Sequence, residues 1–205
     1  MNEISRRKFL GKSALATSLA PLAASTLTFP FVRSVRAAEP GANDKVRLGI
    51  IGCGGMGQGD LECFFLNPEV DCAVVCDVDD ARIAKGVEIC EKKRGKKPDT
   101  VKDFHRVLDR KDIDMVLIAT PDHWHALPTV LACQAGKDVY VEKPLAKTID
   151  EGRAMLEAAK RHQRVVQMGS QWRSCKHIME AGEFIRSGKL GKVSIVRGWA
   201  YLDWL

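Results

Sequence analysis

The chain has 205 residues, of which 45% are hydrophobic and 28% are charged. These are the values of an ordinary globular protein, so a largely disordered chain is excluded, and the length accommodates one full domain and part of a second. The net charge of +6 does not indicate a nucleic-acid partner, because residues 1–37 carry +5 of it and leave only +1 for the rest of the chain.

The first 37 residues predict a targeting segment. Ser5-Arg6-Arg7-Lys8-Phe9-Leu10 resembles the twin-arginine export signal, and a moderately apolar stretch follows it. Val35 and Ala37 are small residues at the positions that a signal peptidase reads, so cleavage after Ala37 is predicted. We therefore expect the twin-arginine translocase to export the folded, cofactor-loaded protein to the periplasm. The alternative is an uncleaved segment that remains as a membrane anchor, although its prolines and hydroxyl residues make it a poor spanning helix.

A glycine-rich turn follows the first predicted strand. Residues 46–51 are mostly apolar and lead into Gly52-x-Gly54-x-x-Gly57, after which Leu61, Phe64 and Phe65 recur at helical spacing. Strand, glycine turn and helix in this order is the context of a dinucleotide-binding turn, in which the phosphates lie at the helix N-terminus. The alternative is a purely steric role for these glycines.

Asp77 ends the second predicted strand, residues 70–76, and lies 20 residues past Gly57. A carboxylate at this point accepts hydrogen bonds from the ribose hydroxyls of an adenosine. Because carboxylates repel a 2′-phosphate, Asp77 and the nearby Asp79 favour NAD over NADP; Arg82 is the residue that could reverse this preference.

The seven cysteines follow no zinc-binding spacing. Cys72 and Cys76 are four residues apart in the second strand, so we expect them on the same face as small core residues. A domain that builds its own core needs no disulfide scaffold.

Further strands are predicted at residues 100–104, 114–120, 137–141 and 164–168. The clearest of them ends in Thr120-Pro121-Asp122-His123-Trp124-His125, at the edge where open parallel sheets bind ligands. Three interpretations of this motif compete: a metal site at His123 and His125, a structural histidine, or a turn that faces a cofactor. Two histidines without a clear third ligand are a weak metal signal, so no metal is predicted.

A charged motif, Glu142-Lys143-Pro144, ends the strand at 137–141. Lysine serves as an acid or base where burial and neighbouring charge bring its pKa toward neutrality. The alternative is an ordinary surface pair at a turn. A capping box, Thr148-x-x-Glu151, opens the next helix, and the strand at 164–168 completes an α/β, Rossmann-type doubly wound parallel sheet.

Together these motifs resemble the Gfo/Idh/MocA oxidoreductases, from about residue 45 to the end of the chain. The resemblance implies hydride transfer between NAD, or less readily NADP, and a sugar or polyol, with Lys143 as the catalytic residue. It implies two groups of cofactor contacts: a phosphate and adenosine group of Gly52, Gly54, Gly55, Met56, Gly57 and Asp77, and a nicotinamide group of Thr120, Pro121, His125, Glu142 and Lys143. Arg173 is a weaker candidate for contact with substrate.

The same resemblance leaves the reaction open, because some relatives are glycosidases that use bound NAD in a redox cycle without net oxidation. It also implies a homo-oligomer in the full-length form.

We divide the chain into an export signal at 1–37, an NAD-binding Rossmann domain at 38–170 and the beginning of a substrate domain, α/β or α+β, at 171–205. In that last part we expect a helix around residues 178–185, ended by Gly188, and a strand at 193–201. About 35 residues cannot close a core of their own, so we expect the chain to be a fragment of a longer protein. A chain that truly ended at Leu205 would instead favour a non-catalytic nucleotide-binding module.

Overall fold

The computed structural model describes residues 45–199. The predicted export signal at 1–37 and the last part of the predicted strand at 193–201 lie outside these residues. Within the described part of the chain, no helix combines the length and the apolar character needed to cross a membrane.

Strands and helices alternate along residues 45–199. The strands are β1 (Val46–Ile51), β2 (Val70–Cys76), β3 (Asp99–Val101), β4 (Met115–Ile118), β5 (Asp138–Val141) and β6 (Val166–Met168). The α-helices are α1 (Gly55–Phe64), α2 (Asp80–Arg94), α3 (His105–Leu108), α4 (Ala126–Gln134), α5 (Ile149–Arg161) and α6 (Lys176–Arg186). Two short 3₁₀-helices, Asp122–Trp124 and Gln171–Ser174, follow β4 and β6. The predicted third strand is present but short, because the chain leaves the sheet after Val101.

The six strands form one parallel sheet in the order β3-β2-β1-β4-β5-β6. This is the Rossmann-type doubly wound sheet that the sequence predicts. The strand order reverses between β1 and β4, and ligands bind at the carboxyl ends of the strands beside such a switch point.

Helices cover both faces of the sheet. On one face, Leu61 of α1, Phe65 directly after α1 and Cys90 of α2 pack against Leu48 and Ile50 of β1. The other face is covered by α3, α4 and α5 in a second buried cluster. Burial on both sides explains why the strands are continuous apolar runs rather than alternating ones.

A β-bulge in β2 overturns the expectation that Cys72 and Cys76 share a face. Leu48 pairs with Cys72 and the next residue, Gly49, pairs with Val74, so Ala73 is an extra residue in β2. Because one extra residue reverses the side-chain alternation, Cys72 packs under α1 and α2, whereas Cys76 packs on the opposite face. Both thiols are buried and unpaired, as expected for core residues.

The segment after β6 fits the prediction only in part. Helix α6 forms, and Gly188 follows it with a positive φ of 75°, as expected for a helix stop. The expected strand is wrong for residues 193–199, which are exposed and have no regular secondary structure. A strand is held by hydrogen bonds to a neighbouring strand, and none within residues 45–199 pairs with this segment.

Candidate functional site

The glycine turn joins β1 to α1 at the switch point of the sheet. Gly52 has a φ of +95°, and a Cβ at this residue would lie 2.8 Å from the backbone of Ala119. A Cβ on Gly57 would overlap the carbonyl oxygen of Gly52. Glycine is therefore required at Gly52 for the turn and at Gly57 for close packing of the helix on the strand.

Gly54 differs, because a Cβ there would meet only the guanidinium of Arg82, at 4.0 Å. Gly54 is also the N-cap of α1, and within the described residues no side chain caps this helix and no acidic residue lies in its first turn. The first N–H groups of α1 therefore face an open, electropositive space suited to a phosphate.

Asp77 links the end of β2 to the glycine turn. Its side chain is buried; Oδ2 accepts a 2.7 Å hydrogen bond from the Cys53 N–H, and Oδ1 accepts a 3.0 Å bond from the Asp79 N–H. Each oxygen keeps acceptor capacity for a ribose hydroxyl. Beside it, burial first and then the charge of Asp77 raise the pKa of the Cys53 thiol to about 12, so Cys53 is a neutral core residue and not a nucleophile.

A crevice of about 310 Å³ opens over these residues. Five of the predicted site residues line it: Gly52, Gly54, Asp77, Thr120 and Pro121. Other parts of its wall were not predicted, namely Val78, Lys102, Phe104, His123, Trp124 and Pro128. Phe104 and Trp124 meet edge to face, with ring centroids 6.4 Å apart, and give this part of the crevice an apolar aromatic wall suited to an adenine ring. Of these residues, only Val78 could have been predicted from the sequence, because it is an apolar residue directly after Asp77, the predicted ribose-binding residue.

His125 lies beneath the crevice rather than in its wall. The side chain is 1% exposed, with Nδ1 2.7 Å from the carbonyl oxygen of Pro144 and Nε2 2.8 Å from that of Thr120. His125 is thus not part of this crevice wall, because both ring nitrogens face backbone carbonyls; its contact with the nicotinamide stays a prediction. The histidine instead joins the end of β4 to the loop after β5, and it has no nitrogen left for a metal.

Glu142 and Lys143 lie at the carboxyl end of β5, outside the crevice wall. Glu142 is 3% exposed; Oε2 accepts a 3.2 Å hydrogen bond from the Lys143 N–H, whereas Oε1 is buried without a partner among the described residues. Gly169 allows this arrangement, since a Cβ there would overlap Oε1. The Lys143 side chain is exposed, and its peptide bond to Pro144 is cis. A buried carboxylate and an exposed amine therefore stand next to the β4 motif.

Asp60, on the second turn of α1, is a carboxyl group near Glu142 and Lys143 that the sequence analysis did not single out. Burial raises its pKa to about 6; the Glu142 carboxylate adds to this effect and the Lys143 ammonium opposes it. Its Oδ2 is buried and unpartnered among the described residues. No sequence motif marks Asp60, which becomes visible only when α1 is placed over β5.

Three further predicted site residues are not in the crevice wall, although the N–H groups of two of them, Gly55 and Met56, are the first ones of α1. Gly55 and Met56 are exposed in the first turn of α1, outside the wall of the crevice. Arg173 is exposed on the 3₁₀-helix after β6. Its contact with substrate stays a prediction.

Comparison with known proteins identifies the family of the chain. Residues 46–170 match the Gfo/Idh/MocA family, an oxidoreductase family with an NAD-binding Rossmann fold. The chain is 28% identical to an α-N-acetylgalactosaminidase of Shewanella oneidensis over 94% of its own length and 45% of that protein. It is 36% identical to a levoglucosan dehydrogenase of Pseudarthrobacter phenanthrenivorans over 50% of its length and 26% of that protein.

A solved structure shares the fold. The crystal structure of myo-inositol 2-dehydrogenase from Lactobacillus plantarum matches with a TM-score of 0.65 at 25% identity, over 73% of this chain and 43% of that one. The chain thus spans less than half the length of these relatives. The family match covers more than half of the chain and contains the glycine turn, Asp77 and the Glu142-Lys143-Pro144 motif, so the chain belongs to the Gfo/Idh/MocA oxidoreductase family, whose Rossmann domain binds NAD.

Proposed function

We propose that this protein is an NAD-dependent oxidoreductase that moves a hydride between its cofactor and a hydroxyl-bearing carbon of a sugar or polyol. The observation that supports the proposal is the position of Lys143. It lies directly after β5 with an exposed side chain, next to the β4 motif that lines the crevice. Sugar and polyol chemistry is supported by the names of two relatives, a levoglucosan dehydrogenase and a myo-inositol dehydrogenase.

In this proposal three residues of the chain, Lys143, Glu142 and His125, have distinct tasks. Bound NAD supplies the hydride chemistry. Nζ of Lys143 accepts the hydroxyl proton when the substrate is oxidised and donates it in the reverse direction. Glu142, fixed by the Lys143 N–H and by the space at Gly169, accepts hydrogen bonds from the ribose next to the nicotinamide. His125 holds the two strand ends in register by contacting Thr120 and Pro144.

Preference for NAD over NADP is part of the proposal. Asp77 places a buried carboxylate in the adenosine part of the crevice, where a 2′-phosphate would be repelled. The two cations in the crevice wall have acidic neighbours of their own: Arg82 Nε lies 3.7 Å from an Asp79 oxygen, and Lys102 Nζ lies 2.8 Å from an Asp80 oxygen. Their charge is thus partly neutralised before any phosphate arrives.

Export and assembly complete the proposal. The twin-arginine motif at Arg6-Arg7 supports transport of the folded, NAD-loaded protein to the periplasm, and the family resemblance supports a homo-oligomer in the full-length form. Fractionation of cells that express the protein, with and without Arg6→Lys and Arg7→Lys together, tests the export. The double variant is expected to stay in the cytoplasm, and export of both forms contradicts the assignment.

The activity is tested on the full-length protein with a panel of sugars and polyols, with NADH formation as the readout. Wild-type protein is expected to form NADH with at least one of them, while Lys143→Ala forms almost none. NADH formation that is unchanged in the variant contradicts the role of Lys143.

A redox-cycling glycosidase on the same scaffold is the second candidate. It is favoured by the match to the α-N-acetylgalactosaminidase, which covers 94% of this chain. The two candidates differ in the fate of the hydride. A glycosidase returns it to the sugar and releases a cleaved glycoside with no net NADH, whereas the dehydrogenase accumulates NADH as substrate is consumed. Parallel assays of aryl glycoside cleavage and NADH formation separate them.

A further inference from the structure

A buried carboxylate oxygen beside Lys143 lacks a hydrogen-bond partner. It is Oε1 of Glu142, whose side chain is 3% exposed, and no partner for it lies in the part of the chain that the structure describes. The other oxygen of this carboxylate, Oε2, accepts a 3.2 Å bond from the Lys143 N–H. Native proteins rarely leave a buried polar atom without a partner, so the surroundings of Oε1 require an explanation.

The backbone around Glu142 is fixed by both neighbouring strands. Val141 pairs with Met168 at the end of β5 and β6, so the next residues of the two strands, Glu142 and Gly169, lie side by side. The Gly169 N–H donates a 2.7 Å hydrogen bond to the Val141 carbonyl, and the Glu142 N–H donates a 2.9 Å bond to the Ile118 carbonyl of β4. The position of the Glu142 carboxylate relative to Gly169 is therefore set by the sheet itself.

The missing side chain of Gly169 leaves a gap that two oxygens share. A Cβ on Gly169 would overlap Oε1 of Glu142 and would lie 2.9 Å from the hydroxyl oxygen of Tyr140. Both approaches are shorter than ordinary contacts of a methyl group, so any other residue here would displace one or both oxygens. The gap at Gly169 thus places a hydroxyl, which can donate, next to the acceptor that lacks a partner.

The ring of Tyr140 is held in place by helix α1. Tyr140 is two residues before Glu142, so both side chains leave β5 on the same side. The ring of Phe64 packs against it edge to face, with centroids 5.3 Å apart and an angle of 89° between the ring planes. Because the ring is fixed by this contact and the strand by the sheet, the hydroxyl has little freedom to leave the gap.

Burial and charge keep the Tyr140 hydroxyl protonated and able to donate. Burial, then the charges of Asp60 and Glu142, raise the pKa of Tyr140 to about 12, and a hydrogen bond to the Glu142 carboxylate contributes to this rise. A bond of this kind favours the neutral phenol and the ionised acceptor together. The contact does not reach full hydrogen-bond geometry at Oε1, so a small movement of the two side chains is needed to complete it.

We propose that the Tyr140 hydroxyl donates a hydrogen bond to Oε1 of Glu142 and thereby positions this carboxylate, in the gap that Gly169 leaves open. The Tyr140 hydroxyl and the Lys143 N–H then each hold one carboxylate oxygen, and the remaining lone pairs are available to a ribose. Tyr140 is a positioning residue, because it acts through Glu142. This role rests on the proposed function, in which Glu142 contacts the ribose next to the nicotinamide, whereas the hydrogen bond itself does not.

Raman spectroscopy of the full chain without NAD tests the hydrogen bond. The chain has two tyrosines, so Tyr201→Phe leaves Tyr140 as the only source of the tyrosine doublet, whose intensity ratio depends on whether the hydroxyl donates or accepts. We expect the ratio of a donor in this chain and its loss after Glu142→Ala. Asp60→Ala removes the other carboxylate that acts on the hydroxyl and is expected to keep the ratio. A ratio that survives Glu142→Ala, or that Asp60→Ala abolishes, overturns the proposal.

NAD titration tests the positioning role. Tyr140→Phe keeps the ring against Phe64 and removes only the hydroxyl, so it is expected to weaken NAD binding about five- to tenfold, as for the loss of one hydrogen bond to a charged group. In a Glu142→Ala background the same change is expected to alter NAD affinity by less than about twofold, because the carboxylate that it positions is absent. Equal losses in the two backgrounds overturn the role, since they indicate a general structural defect.

Gly169→Ala tests the gap. The added methyl group displaces Oε1, so NAD binding is expected to weaken more than about tenfold, again only while Glu142 is present. Gly152→Ala is the matched control, because a Cβ there would make an ordinary 4.0 Å contact with Ala146 on the opposite side of the motif loop from β6. Binding by Gly169→Ala that equals wild type overturns the role of the gap. If Gly169→Ala fails to fold by circular dichroism, the two backgrounds of Tyr140→Phe still decide.

Failure of the proposed function is distinguishable from failure of this inference. Neither measurement contains a substrate, so absence of oxidoreductase activity leaves both results unaffected. If Glu142→Ala binds NAD as wild type does, the ribose contact of Glu142 and the positioning role of Tyr140 are both overturned, while the Raman ratio still decides the hydrogen bond.

Discussion

The backbone N–H of Cys53 donates a 2.7 Å hydrogen bond to Oδ2 of Asp77. This bond ties the glycine turn to the end of β2, so the carboxylate that would receive the adenosine ribose also fixes the loop that would receive the phosphates. Cofactor recognition and local stability therefore depend on one side chain.

Asp77→Ala is expected to weaken NAD binding by about 1–3 kcal/mol, because it removes a buried charged acceptor from Cys53 and from the ribose. The same change removes the repulsion of a 2′-phosphate, so the affinity for NADP is expected to fall less than the affinity for NAD. Calorimetric titration with both nucleotides checks this. Glu91→Ala, which removes an exposed carboxylate from α2 outside the crevice wall, is the control. Unchanged binding of both nucleotides would show that the ribose assignment is wrong.

Lys143→Ala is expected to lower the turnover of the full-length enzyme about 10²–10⁴-fold, the usual contribution of a general acid or base. NAD affinity is expected to change far less, because the Lys143 N–H that holds Glu142 belongs to the backbone and survives the substitution. Steady-state kinetics and NAD titration of the same preparation measure the two effects. Lys147→Ala, an exposed lysine on the same loop, serves as the matched control. A loss confined to KM would contradict the catalytic role.

The sequence predicts the sheet well because each of its strands can be recognised from its own residues. A strand buried on both faces must be apolar along its whole length, and each motif residue stands where such a run ends. The glycine turn and Asp77 are found for this reason. The face of the sheet on which a given side chain lies is harder to predict. Ala73 is the extra residue of a β-bulge in β2 and places Cys72 and Cys76 on opposite faces, and no local sequence pattern indicates this bulge.

Residues whose role depends on tertiary contacts cannot be identified from the sequence alone. His125 looks like a cofactor ligand from its position after β4, but Pro144, 19 residues later, supplies the contact that buries it. Asp60 has no motif at all, and its neighbours on β5 become known only from the crossing of α1 over the sheet. The strand expected at 193–201 does not form over residues 193–199 for a related reason: alternation of apolar residues is typical of a strand but does not provide a partner strand.

His125→Ala is expected to lower the free energy of unfolding by about 2–4 kcal/mol. The substitution empties a buried site and leaves the carbonyl oxygens of Thr120 and Pro144 without the imidazole. Urea denaturation of the wild-type and variant chains measures the difference. His177→Ala, an exposed histidine on α6, is expected to change it by less than about 0.5 kcal/mol. Equal stability of the wild type and His125→Ala would refute a bridging role.

Asp60→Asn is expected to stabilise the chain at pH 8 and to leave its stability unchanged at pH 4. The folded-state pKa of Asp60 is about 6, above the ordinary value of 3.8, so the native chain holds this proton more tightly than the unfolded chain does. Between these two values the native state binds more protons, and the free energy of unfolding of the wild type therefore falls as pH rises. Above about pH 6 the native chain bears the full cost of ionising the partly buried Asp60. This cost is on the order of 1–2 kcal/mol once partial exposure of the side chain is allowed for. Asparagine cannot ionise, so the Asp60→Asn variant does not bear this cost.

Urea denaturation at the two pH values measures the difference, and Glu62→Gln controls for the loss of a carboxylate on α1. A variant that is no more stable than the wild type at pH 8 would mean that Asp60 ionises without cost, as an ordinary surface residue does.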